Sequence, residues 1–159
     1  MPADWRFVLR HPAHFFAFGF GSGLAPAAPG TFGTLAAIPL YYLLAALLPL
    51  GVLYGVIGLA AVAGIRICDI TGRNLGMADY GGIVWDEIVA FWCVLLFTPG
   101  TAVWIAAAFI LFRLFDIWKP FPINWFDAKF KNGYGVMLDD GLAAIYTICT
   151  LEGIQYWLT

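Results

Sequence analysis

Five apolar stretches, joined alternately by tight uncharged turns and long charged loops, constrain this chain more than any other feature. They run from Thr31 to Leu48, Gly51 to Cys68, Ile83 to Phe97, Thr101 to Phe115 and Gly141 to Leu158. A helix that crosses a bilayer needs about 20 apolar residues, with a range of about 17–25. The pattern therefore predicts an all-α fold: a polytopic membrane helix bundle of about five transmembrane helices. The third and fourth stretches are short for a crossing, so their helices are expected to extend into flanking residues. A buried hairpin that does not cross is the alternative.

Composition agrees. The chain has 159 residues, of which 62% are hydrophobic and 11% charged. A soluble domain is nearer about 45–50% apolar and about 25% charged. One domain over 1–159 is expected, with an interfacial arm and Gly/Pro-rich loop at 1–30 and the helix bundle at 31–159. The formal net charge of -2 and the lack of a basic run exclude a nucleic-acid partner. Cys68, Cys93 and Cys149 form no C-x-x-C pair and read as small buried thiols rather than a disulfide framework.

The tight turns lie at Pro49 to Gly51 and Thr98 to Gly100; the long connections are Asp69 to Gly82 and Asp116 to Asp140. Arg6 and Arg10 precede the first stretch, Arg66 and Arg73 border the first long connection, and Arg113, Lys119, Lys129 and Lys131 border the second. With five crossings these regions share one side. The positive-inside rule makes that side cytoplasmic, with the amino terminus inside and the carboxyl terminus outside. Residues 1–20 do not read as a signal peptide, because histidines, a proline and glycines interrupt the apolar run. Asp4 to Phe18 instead predicts an amphipathic helix with Trp5, Phe7, Phe15, Phe16 and Phe18 toward lipid. His11 and His14 read as interfacial, and Trp118 and Trp125 fit an aromatic belt.

Carboxylates collect on the basic side. Asp86 and Glu87 open the third helix, Asp139 and Asp140 open the fifth, and Asp116 ends the fourth. Each alone could serve as a helix-dipole partner. As a set they repel unless protons or a cation neutralise them. A hard divalent ion such as Mg²⁺, with oxygen ligands, does so directly. Ala60-Ala61-x4-Arg66-x2-Asp69 parallels Ala107-Ala108-x4-Arg113-x2-Asp116, and Gly82-x3-Asp86-Glu87 parallels Gly135-x3-Asp139-Asp140. A parallel duplication would set the two acidic pairs about one pocket. Glu152, late in the fifth helix, reads as interfacial.

The run GFGSGLAPAAPGTFGT from Gly19 to Thr34 contains Ser22 and Gly30 and leads into a helix N-terminus, where backbone donors suit phosphate. It lacks the Walker ending, and a Gly/Pro turn without a ligand is the alternative. Arg113 and Lys119 flank Asp116 and either snorkel to the interface or hold phosphate charge.

Three blocks, GFGSGLAPAAPGTFGTLAAIP from Gly19, DYGGIVWDE from Asp79 and FRLFDIWKPFPINWFDAKFKNGYGVMLDD from Phe112, resemble the bacterial phosphatidylglycerophosphatase A family. The resemblance implies an Mg²⁺-dependent, multi-pass protein of the bacterial inner membrane that removes the terminal phosphate of phosphatidylglycerophosphate. It maps the family pattern onto Thr31, Asp79, Asp86, Glu87, Asp116, Lys119, Asp139 and Asp140. On this reading Asp79, Asp86, Glu87, Asp139 and Asp140 hold metal. Lys119, Arg113, Thr31, Gly30 and Ser22 contact phosphate. Asp116 is a ligand, a general acid or a nucleophile, and Thr31 is a ligand, a substrate contact or a nucleophile. The other classes weighed are a small cation or proton transporter using the same carboxylates, and a CDP-alcohol phosphotransferase, whose D-G-x2-A-R pattern is missing.

Overall fold

The computed structural model describes residues 3–159, and among them every regular element is helical. Met1 and Pro2 of the expected arm lie outside the described residues. In chain order the helices are α1 (Trp5–Val8), α2 (Pro12–Ala17), α3 (Pro29–Leu47), α4 (Leu50–Leu75), α5 (Trp85–Leu96), α6 (Ala102–Trp118), α7 (Ile123–Lys129) and α8 (Gly133–Leu158), with a 3-10 stretch at Gly19–Leu24.

Local chemistry sets the boundaries. Leu48 is extended and Pro49 caps α4, so α3 and α4 meet in a turn with no room for a charged loop. Gly76, at φ 73°, ends α4 in the left-handed conformation, and Met77 N–H donates to the Gly72 carbonyl at 2.9 Å. The Asn132 side chain accepts from Gly135 N–H at 3.0 Å and starts α8.

α5 is the axis of the bundle and packs against α3, α4, α6 and α8. Nine of its residues, from Trp85 through Leu95, are buried. A helix that is apolar on every face suits a core position. Two indoles pin it. Trp85 Nε1 donates to the Ala60 carbonyl of α4 at 3.1 Å, and Trp92 Nε1 to the Ala37 carbonyl of α3 at 3.0 Å.

Among the described residues two helices, Pro29–Leu47 and Leu50–Leu75, are long and apolar enough to cross a membrane, against the five expected. The fourth stretch extends as expected, to Trp118, but the third does not: α5 has 12 residues. Its length is about 18 Å, short of a hydrocarbon core of about 30 Å. Its side chains are spent on neighbouring helices, a use that the sequence does not separate from lipid contact.

The amino-terminal arm also differs from expectation. The polypeptide breaks at Leu9–His11 into two short helices, and α2 lies on α4. Phe18 is 0% exposed, and Phe7 stacks on His14 at 4.3 Å between ring centroids, so neither faces outward. Trp5 and Phe16 remain exposed. His14 is buried rather than interfacial, with Nδ1 3.0 Å from Thr71 Oγ1 and Nε2 3.1 Å from Asn74 Nδ2. Of the three thiols only Cys68 is buried; Cys93 is half-buried and Cys149 exposed.

Candidate active site

The starts of α3, α5 and α8 and the ends of α4 and α6 converge at one end of the bundle; α8 starts at Gly133, so Asp139 and Asp140 lie about two turns inside it rather than opening it as the sequence led us to expect. Gly30 of α3 lies against the Glu87 carboxylate of α5 and the Arg113 guanidinium of α6; a Cβ at Gly30 would come within 3.1 Å of Arg113 Nη2. Asp140 of α8 contacts the carboxyls of Asp86 in α5 and Asp116 in α6. Gly133 of α8 donates its N–H to Asp69 Oδ1 of α4 at 3.4 Å.

Within this end is a small cavity of about 60 Å³ lined by Asp79, Asp86, Glu87, Asp116, Asp139 and Asp140, with Lys119 at its rim. Asp86, Asp116, Asp139 and Asp140 are buried, and Asp79 is exposed on the loop before α5. One oxygen each from Glu87, Asp116 and Asp140 lies within 4.8 Å of the others. Four buried carboxylate oxygens, Asp86 Oδ1, Glu87 Oε2, Asp139 Oδ1 and Asp140 Oδ2, have no hydrogen-bond donor. A buried carboxylate oxygen without a donor is costly. Several converging on one cavity are a donor set of the kind that hard cations take.

Two cations border the acids. Arg113 Nη1 lies 3.3 Å from Glu87 Oε1 and pairs closely with Asp116 one turn along α6. Lys119 Nζ lies 3.9 Å from Asp139 Oδ2 and 3.6 Å from Asp127 Oδ1. Burial works against the Lys119 ammonium, but the carboxylates of Asp140, Asp116, Asp127 and Asp139 outweigh it and raise its pKa above the ordinary lysine value. Lys119 caps α6 at φ 51°, a left-handed conformation that a non-glycine residue holds at a cost. That turn ends α6 at the cavity.

The model for the phosphatidylglycerophosphatase A family matches residues 15–155 of the chain. A protein of Haemophilus influenzae described as phosphatidylglycerophosphatase A is 47% identical over 96% of this chain and 94% of its own length. One of Escherichia coli with the same description is 42% identical over 98% of this chain and 88% of its own length. The chain belongs to the phosphatidylglycerophosphatase A family. A Bacteroides thetaiotaomicron relative, provisionally described as a phosphatidylinositol-3-phosphatase, is 41% identical over 88% of this chain and 91% of its own length. No solved structure matches the chain.

Of the residues that the family pattern marks, seven line the cavity: Asp79, Asp86, Glu87, Asp116, Lys119, Asp139 and Asp140. Thr31 does not; it is half-buried in the first turn of α3, next to Gly30. Ser22 is turned to its own loop, where its hydroxyl donates to the Gly19 carbonyl at 2.8 Å. The loop amides of Gly21, Gly23 and Ala25 likewise donate inside the loop, so these donors are not open to phosphate. Arg113, expected to hold phosphate, is engaged by Glu87 and Asp116 instead.

Asp127 of α7 escaped the sequence reading. It stands between Lys119 and Lys131, whose Nζ lies 3.8 Å from its Oδ2, and also contacts Asp139. Burial favours its neutral form, but the contact with Asp139 and the two ammoniums outweigh that and lower its pKa below the ordinary carboxylate value. Its signal in the sequence was the i,i+4 spacing to Lys131 within the third block.

Proposed function

We propose that this protein is a multi-pass, Mg²⁺-dependent phosphatase of the bacterial inner membrane that hydrolyses the terminal phosphomonoester of phosphatidylglycerophosphate. The products are phosphatidylglycerol and inorganic phosphate. The observation that carries this reading is the buried carboxylate cavity with Lys119 at its rim, in a chain of this family. The exterior supports the membrane part. Leu43, Leu47, Leu59, Val62, Val103 and Ile110 are 56–79% exposed on the outer faces of α3, α4 and α6, where a lipid solvent removes the cost. The basic end of the bundle is then cytoplasmic, with the carboxyl terminus periplasmic.

In this reading Glu87, Asp116 and Asp140, with Asp86 beside them, would hold the metal, Asp79 stands at the solvent side, and Asp139 is left free as a base. When bound, the ion would supply charge neutralisation for the phosphoryl oxygens and acidify a water. Lys119 takes the charge of a phosphoryl oxygen from the rim. Arg113 keeps Glu87 and Asp116 in place by pairing with both. Asp139, whose Oδ1 is unpartnered, accepts the proton of the attacking water. The water oxygen bonds to phosphorus, the bond from phosphorus to the glycerol oxygen breaks, and the leaving oxygen takes up a proton at the open side beside Asp79. Thr31 is a positioning residue at the α3 start rather than a nucleophile.

The deciding experiment is phosphate release from phosphatidylglycerophosphate by the purified full chain in detergent. Release with Mg²⁺, loss on chelation and return on adding Mg²⁺ back are expected. Asp86→Asn and Asp139→Asn should abolish it while the fold persists. Release that survives chelation, or near-normal turnover by both variants, rejects the metal cluster. No release from this lipid rejects the substrate.

A further inference from the structure

α8 presents its acids to the cavity on one face and an apolar seam on another. Between α4 and α8 runs a groove of about 310 Å³ whose walls include Ala61, Ile65, Met137, Leu138, Gly141 and Ile145. Its lining is almost wholly carbon. Tyr134 stands at one end and Ile145 at the other, a span of about 16 Å at about 1.5 Å per residue. That is the depth of one leaflet, half of a hydrocarbon core of about 30 Å.

Sequence neighbours link the seam to a second hollow and that hollow to the acid cavity. One turn beyond Ile65 on α4 is Asp69, and the residue before Tyr134 on α8 is Gly133; both line a second hollow of about 360 Å³ with Arg73 and Lys131. Arg73 pairs with Asp69 at 2.9 Å and Lys131 with Asp127 at 3.8 Å, but their side chains are 79% and 60% exposed, so each keeps donors for an incoming phosphodiester. Met77 and Ala78 wall this mouth, and the next residue, Asp79, lines the acid cavity. Apolar seam, basic mouth and acid cavity follow the order of acyl chain, phosphodiester and phosphomonoester in the proposed substrate.

We propose that one acyl chain of the lipid substrate lies in the α4–α8 seam, with its phosphodiester crossing the mouth at Arg73 and Lys131. This rests on the lipid phosphatase reading above. The floor of the seam is open: a Cβ at Gly141 meets nothing within 4 Å. The seam is thus wide enough for a chain and sensitive to filling.

The test uses the full chain in vesicles with phosphatidylglycerophosphate carrying a diazirine midway along one acyl chain. Irradiation should label peptides containing Ala61 to Ile65 and Met137 to Ile145, and Gly141→Phe should remove that label. Gly153→Phe, at an equally open position on the same helix, should keep it. Label spread over the outer faces of α3 and α6 in proportion to exposure overturns the proposal. In kinetics Gly141→Phe should raise KM about tenfold for a long-chain substrate and leave a dihexanoyl analogue within about twofold. Equal losses on both substrates overturn it as well. Lys131→Ala should raise KM for phosphatidylglycerophosphate and leave that for phosphatidic acid, which lacks the diester; equal effects remove the mouth from the proposal. Seam labelling without phosphate release keeps the acyl site and rejects the phosphatase reading, whereas release without seam labelling does the reverse.

Discussion

Arg113 reaches from α6 to Glu87 on α5, with Nη1 3.3 Å from Oε1, while holding Asp116 on its own helix. The pairs are nearly dry, with side-chain exposures of 10–15%. Removing one partner of such a pair strands the other charge, at about 3 kcal/mol. Arg113→Gln should therefore lower the thermal midpoint and abolish turnover. Adding Glu87→Gln should recover part of the lost stability, which a double-mutant cycle of melting curves measures.

Gly30→Ala should be among the most damaging small changes. The new methyl would press on the Glu87 carboxylate and sit 3.1 Å from Arg113 Nη2. Moving that pair disturbs Asp116 and the cavity. We expect loss of about 100-fold in kcat/KM, since small misplacements cost that much. Gly55→Ala in α4 meets nothing within 4 Å and should leave turnover unchanged.

The bundle and its acidic end were legible because charge and apolarity alternate along the chain at helix length. Asp86 and Glu87 open α5 as expected; Asp139 and Asp140 border the fifth apolar stretch, but α8 starts at Gly133, so they lie about two turns inside it and still reach the same end of the bundle. α5 was misread as extending because a helix apolar on every face satisfies lipid and protein neighbours alike. His14 and Phe18 were placed outside because a short aromatic arm has no periodicity that shows which side packs. Ser22 and the loop glycines suggested a phosphate cradle, yet their hydrogen bonds close within the loop. Asp127 drew no reading from the sequence; only the fold of α7 beside Lys119 reveals its place.

Divalent binding should be readable without catalysis. Crowded carboxylates destabilise the metal-free fold, and Mg²⁺ at about 100 times its Kd would add about 2.7 kcal/mol. The wild-type melting point should rise with Mg²⁺. Asp140→Asn, which removes the carboxylate touching both Asp86 and Asp116, should melt higher than wild type in chelator and respond less to the ion. A variant that melts lower in chelator contradicts the crowding argument.

Lys119 joins strain to function. At φ 51° glycine would be relaxed, whereas alanine keeps the left-handed cost. Lys119→Gly and Lys119→Ala both delete the ammonium and should lose turnover equally, about 100-fold. Lys119→Gly should nevertheless be more stable than Lys119→Ala by about 1 kcal/mol. Equal melting points would show that the backbone there is unstrained.

His14 makes arm docking depend on acidity. Burial first, then the nearby charges of His11 and Arg10, lower its pKa from the ordinary 6.5. The undocked arm therefore binds a proton at a pH where the docked arm does not. Stability rises with pH wherever the unfolded form holds more protons. It is thus complete above about 6.5 and declines as pH falls from there toward the folded pKa, by at most about 1.4 kcal/mol per unit. Protonation would also leave Nδ1 and Nε2 both as donors, against Thr71 Oγ1 and the Asn74 side chain. Limited proteolysis at about pH 7.5 and about pH 5.5 should cut the segment between α1 and α2 faster in acid. His14→Gln, which can still bond Thr71 but does not titrate, should cut at the same rate at both. An acid-induced increase that persists in His14→Gln would move the switch elsewhere.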